Sequence, residues 1–191
     1  APPGEPLLHS FGERLLGAIR LDPATYAEVH RDRTALTQAA GVVALGAIVQ
    51  AASLFQQHDE LFSLGSFRGA FAAVEVATAF AEWFFSAVTI WIVGVKLMKR
   101  PSDLPGLLRV LGFAAAPQIL YVASSFGLGI VDWVVWVGIW LWTMAAFVAA
   151  LRAALEVSNA MVTVVCLGAG ALTVGIVALA GGAVFELVRS A

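Results

Sequence analysis

RGAFAAVEVATAFAEWFFSAVTIWIVGVK, residues 68 to 96, is the stretch on which the reading of the fold turns. Glu75 and Glu82 interrupt it, and the 13 charge-free residues left between Trp83 and Val95 are too few to cross a bilayer. A helix rising about 1.5 Å per residue that crosses a hydrocarbon core of about 30 Å and ends at Leu97 must start near Ala77. That crossing carries Glu82 into the membrane.

The rest of the chain makes such a crossing the expected element. Of 191 residues, 60% are hydrophobic and 13% charged, far from the balance of a water-soluble globule. Charge is absent from residues 34 to 58, 110 to 131, 133 to 151 and 157 to 185, and each gap is long enough for a membrane helix. The sequence therefore predicts an all-α polytopic membrane protein with five spans, about 36 to 56, 77 to 97, 109 to 127, 131 to 152 and 162 to 185. Residues 1 to 33 precede a transmembrane domain covering 34 to 191.

Five spans place Arg14, Arg20, Arg31, Arg33, Lys96, Lys99, Arg100, Arg109 and Arg152 on one side, against Arg68 and Arg189 on the other. By the positive-inside rule this predicts a cytoplasmic N-terminus and an outer C-terminus. Residues 1 to 33 lack the central apolar run of a signal peptide, and Ala1 fits removal of an initiator methionine. Leu8, Phe11, Leu15 and Ile19 form one face of an amphipathic helix that also carries Glu13, Arg14 and Arg20. Asp22 and Pro23 read as the cap and first residue of a second helix. This pair either rests on the membrane or docks a partner.

Glu82 is the residue most in need of explanation, since a central carboxylate costs about 2.5 to 3.5 kcal/mol on insertion scales. Counted inward along each span, Gln50, Glu82, Gln118 and Tyr121 fall at comparable depths and form a candidate polar cluster. It serves as polar glue with Glu82 neutral, as a proton or cation relay, or as a partner contact. Pro117 predicts a kink in the third span. Ala171, Gly175, Ala178 and Gly182 make a small-residue stripe for close packing, within the chain or against another subunit. Trp133, Trp136 and Trp140 make a bulky stripe on the fourth span, for lipid or for a docked helix.

Several functions are disfavoured. A net charge of −2 with dispersed basic residues is not the footprint of a nucleic-acid binder. His9, His30 and His58 lie outside the spans and Cys166 is the single cysteine, so no metal or haem set is expected and no cofactor is predicted. Hydrolase and nucleotide motifs are absent, no small-molecule substrate is indicated, and no internal repeat marks a common transporter architecture.

The order of LLGAIRLDPATYAEV (15 to 29), the basic KRPSDLPG loop (99 to 106), LLRVLGFAAAPQIL (107 to 120), GLG (127 to 129), a tryptophan-rich span and a small-residue span resembles the Yip family. These are five-span membrane proteins named in eukaryotes for interaction with Ypt/Rab GTPases, and the likeness is to the bacterial type. Gly112, Phe113 and Pro117 look like its glycine-aromatic pair ahead of a proline. The resemblance implies a cytosolic N-terminus and a membrane-organising or protein-binding role without catalysis or cofactor. LDPATY differs from the acidic DLxGP-like stretch of eukaryotic members, so GTPase binding is not carried over. The leading expectation is a non-catalytic accessory or scaffolding subunit of a larger membrane complex, for example an energy-transducing one, with lipids and partner subunits as its contacts. The rivals are a small proton- or ion-coupled transporter using Glu82, and an organiser recruiting a soluble partner through its N-terminal segment.

Overall fold

The computed structural model describes residues 10 to 57, 65 to 124, 129 to 158, 160 to 162, 164 and 166, and among them all regular structure is helical. Ser10 opens α1 (Phe11–Ile19) with a capping box: its hydroxyl accepts from the Glu13 amide, and the Glu13 carboxylate accepts from the Ser10 amide. Asp22 caps α2 (Pro23–Arg31) by accepting from the amides of Ala24 and Thr25, with Pro23 in the first turn where no amide donor is needed. Asp32 then accepts from the Thr34 amide and hydroxyl, turning the chain into α3 (Ala35–Gln57).

The helix expected at 77 to 97 is longer in the structure. α4 (Gly65–Ile90) continues without a break into a π-helical stretch, Trp91–Leu97, in which the Met98 amide reaches back five residues to the Val93 carbonyl. The next helix also starts early. α5 (Leu104–Ala114) begins inside the proline-bearing loop, because Asp103 caps the Gly106 amide and Pro105 occupies the first turn. At Pro117 the missing amide cannot bond the Phe113 carbonyl, and the kink takes the form of a change of helix type. The Ala115 amide bonds Gly112, the Gln118 amide bonds Ala115, and a 3-10 helix (Ala116–Ser124) completes the crossing. α6 (Ile130–Leu155) ends at Glu156 in the left-handed conformation.

α5 is the central post. Leu107, Val110, Leu111 and Phe113 are fully or almost fully buried, and α2, α3, α4 and α6 all pack on it. Gly112 makes the α3 contact possible, since a Cβ there would stand 2.7 Å from the Ala39 Cβ and 3.0 Å from its carbonyl oxygen. The rim is the reverse of a soluble protein's surface: Val74, Phe84 and Phe85 on α4 and Ile130, Val131, Trp133, Val134 and Leu141 on α6 all face outward. Hydrocarbon is the solvent that suits such a rim.

Among the described residues four stretches are long and apolar enough to cross a membrane: Ala35–Ser53, Arg68–Leu97, Leu104–Ala123 and Ile130–Leu155. The predicted fifth span, 162 to 185, enters the described region only at its start, where Val162 is buried and Cys166 packs on the core. Its small-residue stripe of Ala171, Gly175, Ala178 and Gly182 lies outside the described residues, as does Leu8.

Candidate functional site

Five helical elements line a cavity of about 120 Å³ at the level of Glu82. α4 contributes Glu82 and, one turn on, Ser86; the 3-10 helix contributes Gln118; Val43, Leu111, Ala115 and Phe147 make the apolar walls. Trp83 fixes the α4 wall, its indole N–H donating to the Leu108 carbonyl at 2.9 Å. Gln118 reaches toward α3, where its side-chain oxygen lies 3.2 Å from the point a Cβ on Gly46 would occupy. Glu82 stands exposed at the mouth and makes no hydrogen bond or ion pair with the described residues. A carboxyl group, an amide and a hydroxyl thus converge on one small space with dry walls. That set can exchange a proton or hold a hydrogen-bonding group.

The structure brings together two members of the cluster expected from depth. Gln50, half-buried on α3, is not on the cavity wall. Tyr121 is buried elsewhere, its ring stacked on Trp136 with centroids 6.1 Å apart, and its carbonyl accepts from the Ser53 hydroxyl at 3.2 Å. Height along a helix does not fix azimuth, and the 3-10 segment advances side chains by a larger angle per residue than an α-helix. Ser86 was missed by that reading, although its i+4 spacing from Glu82 places it on the same face.

A second polar assembly lies where α1 and α2 meet the bundle. Arg14, expected on a solvated helix face, is 1% exposed. Its guanidinium donates to Glu28 at 2.9 and 3.0 Å, to Asp32 at 2.6 Å and to the side-chain oxygen of Gln38 at 3.0 Å, joining α1, α2 and α3. Burial opposes the Arg14 charge, but the two carboxylates outweigh it and hold its pKa above the ordinary value. The Thr34 hydroxyl and amide, with Arg14, hold the Asp32 carboxyl below its usual range. The sequence signal was the pair of acids Glu28 and Asp32, four residues apart at the end of α2, which needs a cation from elsewhere.

His30 links this cap to the turn before α5. Its Nε2 lies 3.0 Å from the Ser102 hydroxyl, and its carbonyl accepts from the Arg109 guanidinium. Burial, and then Arg109, push the imidazole below its ordinary pKa, so the neutral form is favoured. Of the predicted amphipathic face, Phe11 meets Phe113 edge-on at 6.3 Å while Leu15 and Ile19 pack against the core. The α1–α2 pair is therefore seated on the bundle. Trp133 and Trp140 point outward, 62% and 45% exposed, whereas Trp136, 41% exposed, also stacks on Tyr121. Among the described residues no group of three His, Cys, Asp or Glu side chains is placed to hold a metal ion.

No curated protein and no solved structure matches the chain. A family model, the Yip1 domain, matches residues 16 to 181. That match begins within α1 and runs through α2, the α5 post with Gly112, Phe113 and Pro117, and all four membrane-length stretches, and the chain belongs to the Yip1 domain family.

Proposed function

We propose that this integral membrane protein is a non-catalytic scaffold, an accessory or assembly subunit that works through helix contacts inside a larger membrane complex. In this reading the α1–α2 cap faces the cytoplasm of a bacterial cell, in keeping with the nine basic residues on that side against two on the other. The observation that carries the proposal is the division of α6. One edge, Ile139, Thr143, Ala146 and Ala150, is buried in the bundle, while Trp133, Trp140 and Leu141 project from the other. Rigid aromatic side chains give large contact area at small entropic cost, which is what a docked helix uses.

A photo-crosslinking amino acid at Trp140 tests this in native membranes. The expected product is one discrete protein adduct, recovered also from position Trp133 but not from buried Ala146. Adducts with lipid alone would contradict the scaffold reading.

A second reading rests on the cavity that Glu82, Ser86 and Gln118 share. A proton or cation relay there requires pH-driven flux in liposomes that Glu82→Gln abolishes without changing assembly. Wild-type liposomes without flux would end it.

A further inference from the structure

Glu82 stands at the midpoint of its membrane-length stretch, roughly 21 to 22 Å from Arg68 at one end and from Leu97 at the other. That stretch is the least buried of the four, 17% against 28 to 67%. Ala77, Thr78, Ala81 and Phe85 beside Glu82 are exposed as well, so the carboxyl group opens on the hydrocarbon side of α4. Water does not stand in for a missing partner at that depth.

The cavity behind Glu82 is unsatisfied on each of its polar sides. Glu82, the Ser86 hydroxyl and the Gln118 side-chain amide make no side-chain hydrogen bond or ion pair with the described residues. All three can accept a hydrogen bond, and one of them carries a negative charge when ionised. The group that completes such a set is a cation with several donors. A lysine ammonium has three N–H donors and no acceptor, on a slim apolar arm, and Val43, Leu111 and Phe147 give that arm dry walls. The chain does not bring such a cation to this height itself. Its basic residues fall toward the ends of the apolar stretches, at Arg68, Lys96, Arg109 and Arg152, and the guanidinium of Arg109 is committed to the His30 carbonyl. A second copy would add only another carboxyl group.

We propose that the Glu82 cavity receives the ammonium of a lysine at the middle of a partner protein's transmembrane helix, which lies along the exposed face of α4. The inference rests on the scaffold reading and names the chemistry of the partner. Glu82 supplies the counter-charge, Ser86 and Gln118 the other two acceptors, and the small side chains of Ala77 and Ala81 let the partner's backbone come close. An acid and a base that meet in hydrocarbon relieve each other of a cost that neither escapes alone.

The test reconstitutes the full chain, with a donor fluorophore at its N-terminus, in phosphatidylcholine vesicles. The probe is a Leu-Ala transmembrane peptide that carries an acceptor fluorophore and one central lysine. Energy transfer is expected to report association roughly tenfold tighter than for the same peptide with central glutamine or leucine, the strength of one interhelical polar pair. Glu82→Gln is expected to erase that difference with helix content unchanged, and Glu82→Lys to move the preference to a peptide with a central glutamate. Equal association of the three peptides with the wild type, or an unchanged lysine preference in Glu82→Gln, would overturn the proposal. Self-association of the chain that Glu82→Gln abolishes would also overturn it, by giving the site to a second copy. A protein that crosslinks to a partner through Trp140 but ignores the lysine peptide would keep the scaffold reading and overturn this one.

Discussion

The guanidinium of Arg14 and the carboxylate of Asp32 meet at 2.6 Å although eighteen residues separate them, and that contact, shared with Glu28, seats α1 on the bundle. Removing the cation leaves two carboxylates, 10% and 15% exposed, facing each other without compensation. Arg14→Ala is expected to cost about 3 kcal/mol, the lower end for breaking a buried pair because the acids keep some solvent. Chemical unfolding in detergent, followed by helical circular dichroism, measures it.

Acid should undo the same contact. Asp32 has a folded pKa below its unfolded one, so its contribution is present above the unfolded value near 4 and is lost as pH falls through the folded value. Titration below about pH 4 is expected to loosen α1 in the wild type. In Arg14→Ala the acid-dependent part should shrink, read out by proteolysis within α1.

His30 gives the same sign in pH, over a higher range. Its folded pKa lies below the unfolded value of about 6.5, so its contribution is complete above that value and falls as pH drops toward the folded pKa. Acidification from about pH 7 to 5 is therefore expected to raise hydrogen exchange in α2 and in the turn at Ser102. His30→Gln should flatten that response.

Gly112 and Gly138 separate packing from mere helix preference. A Cβ at Gly112 meets the Ala39 side chain and backbone, whereas one at Gly138 meets nothing within 4 Å. Gly112→Ala is expected to destabilise by about 1 to 3 kcal/mol, because α3 and α5 must separate. Gly138→Ala is expected to be neutral or to stabilise by up to about 1 kcal/mol. Thermal unfolding of both variants, side by side, checks the contrast.

The sequence was most informative where one helix alone determines the outcome. Apolar runs located the membrane-length helices, and Asp22 with Pro23 located the start of α2. It was least informative where two helices must be known together. Arg14 reads as a surface charge until α2 brings Glu28 and Asp32 to it. Gln50 and Tyr121 share a depth with Glu82, but the twist of the 3-10 helix and the azimuth of α3 direct them away from its cavity. Pro101 and Pro105 read as loop residues because the Asp103 cap that turns Pro105 into a helix start carries little weight beside two prolines. Nothing in WIVGVKL announces a π-helical turn; Gly94 there accommodates Leu155, to which a Cβ would come within 3.0 Å.

The scaffold proposal is tested most directly by mass. The chain is extracted from its own membrane in the gentlest detergent that solubilises it, and the particle is sized and weighed by native mass spectrometry. The account expects the 20.0 kDa chain to emerge in a larger particle with other membrane proteins in fixed proportion. A lone chain of that mass, carrying lipid and nothing else across several detergents, would contradict it.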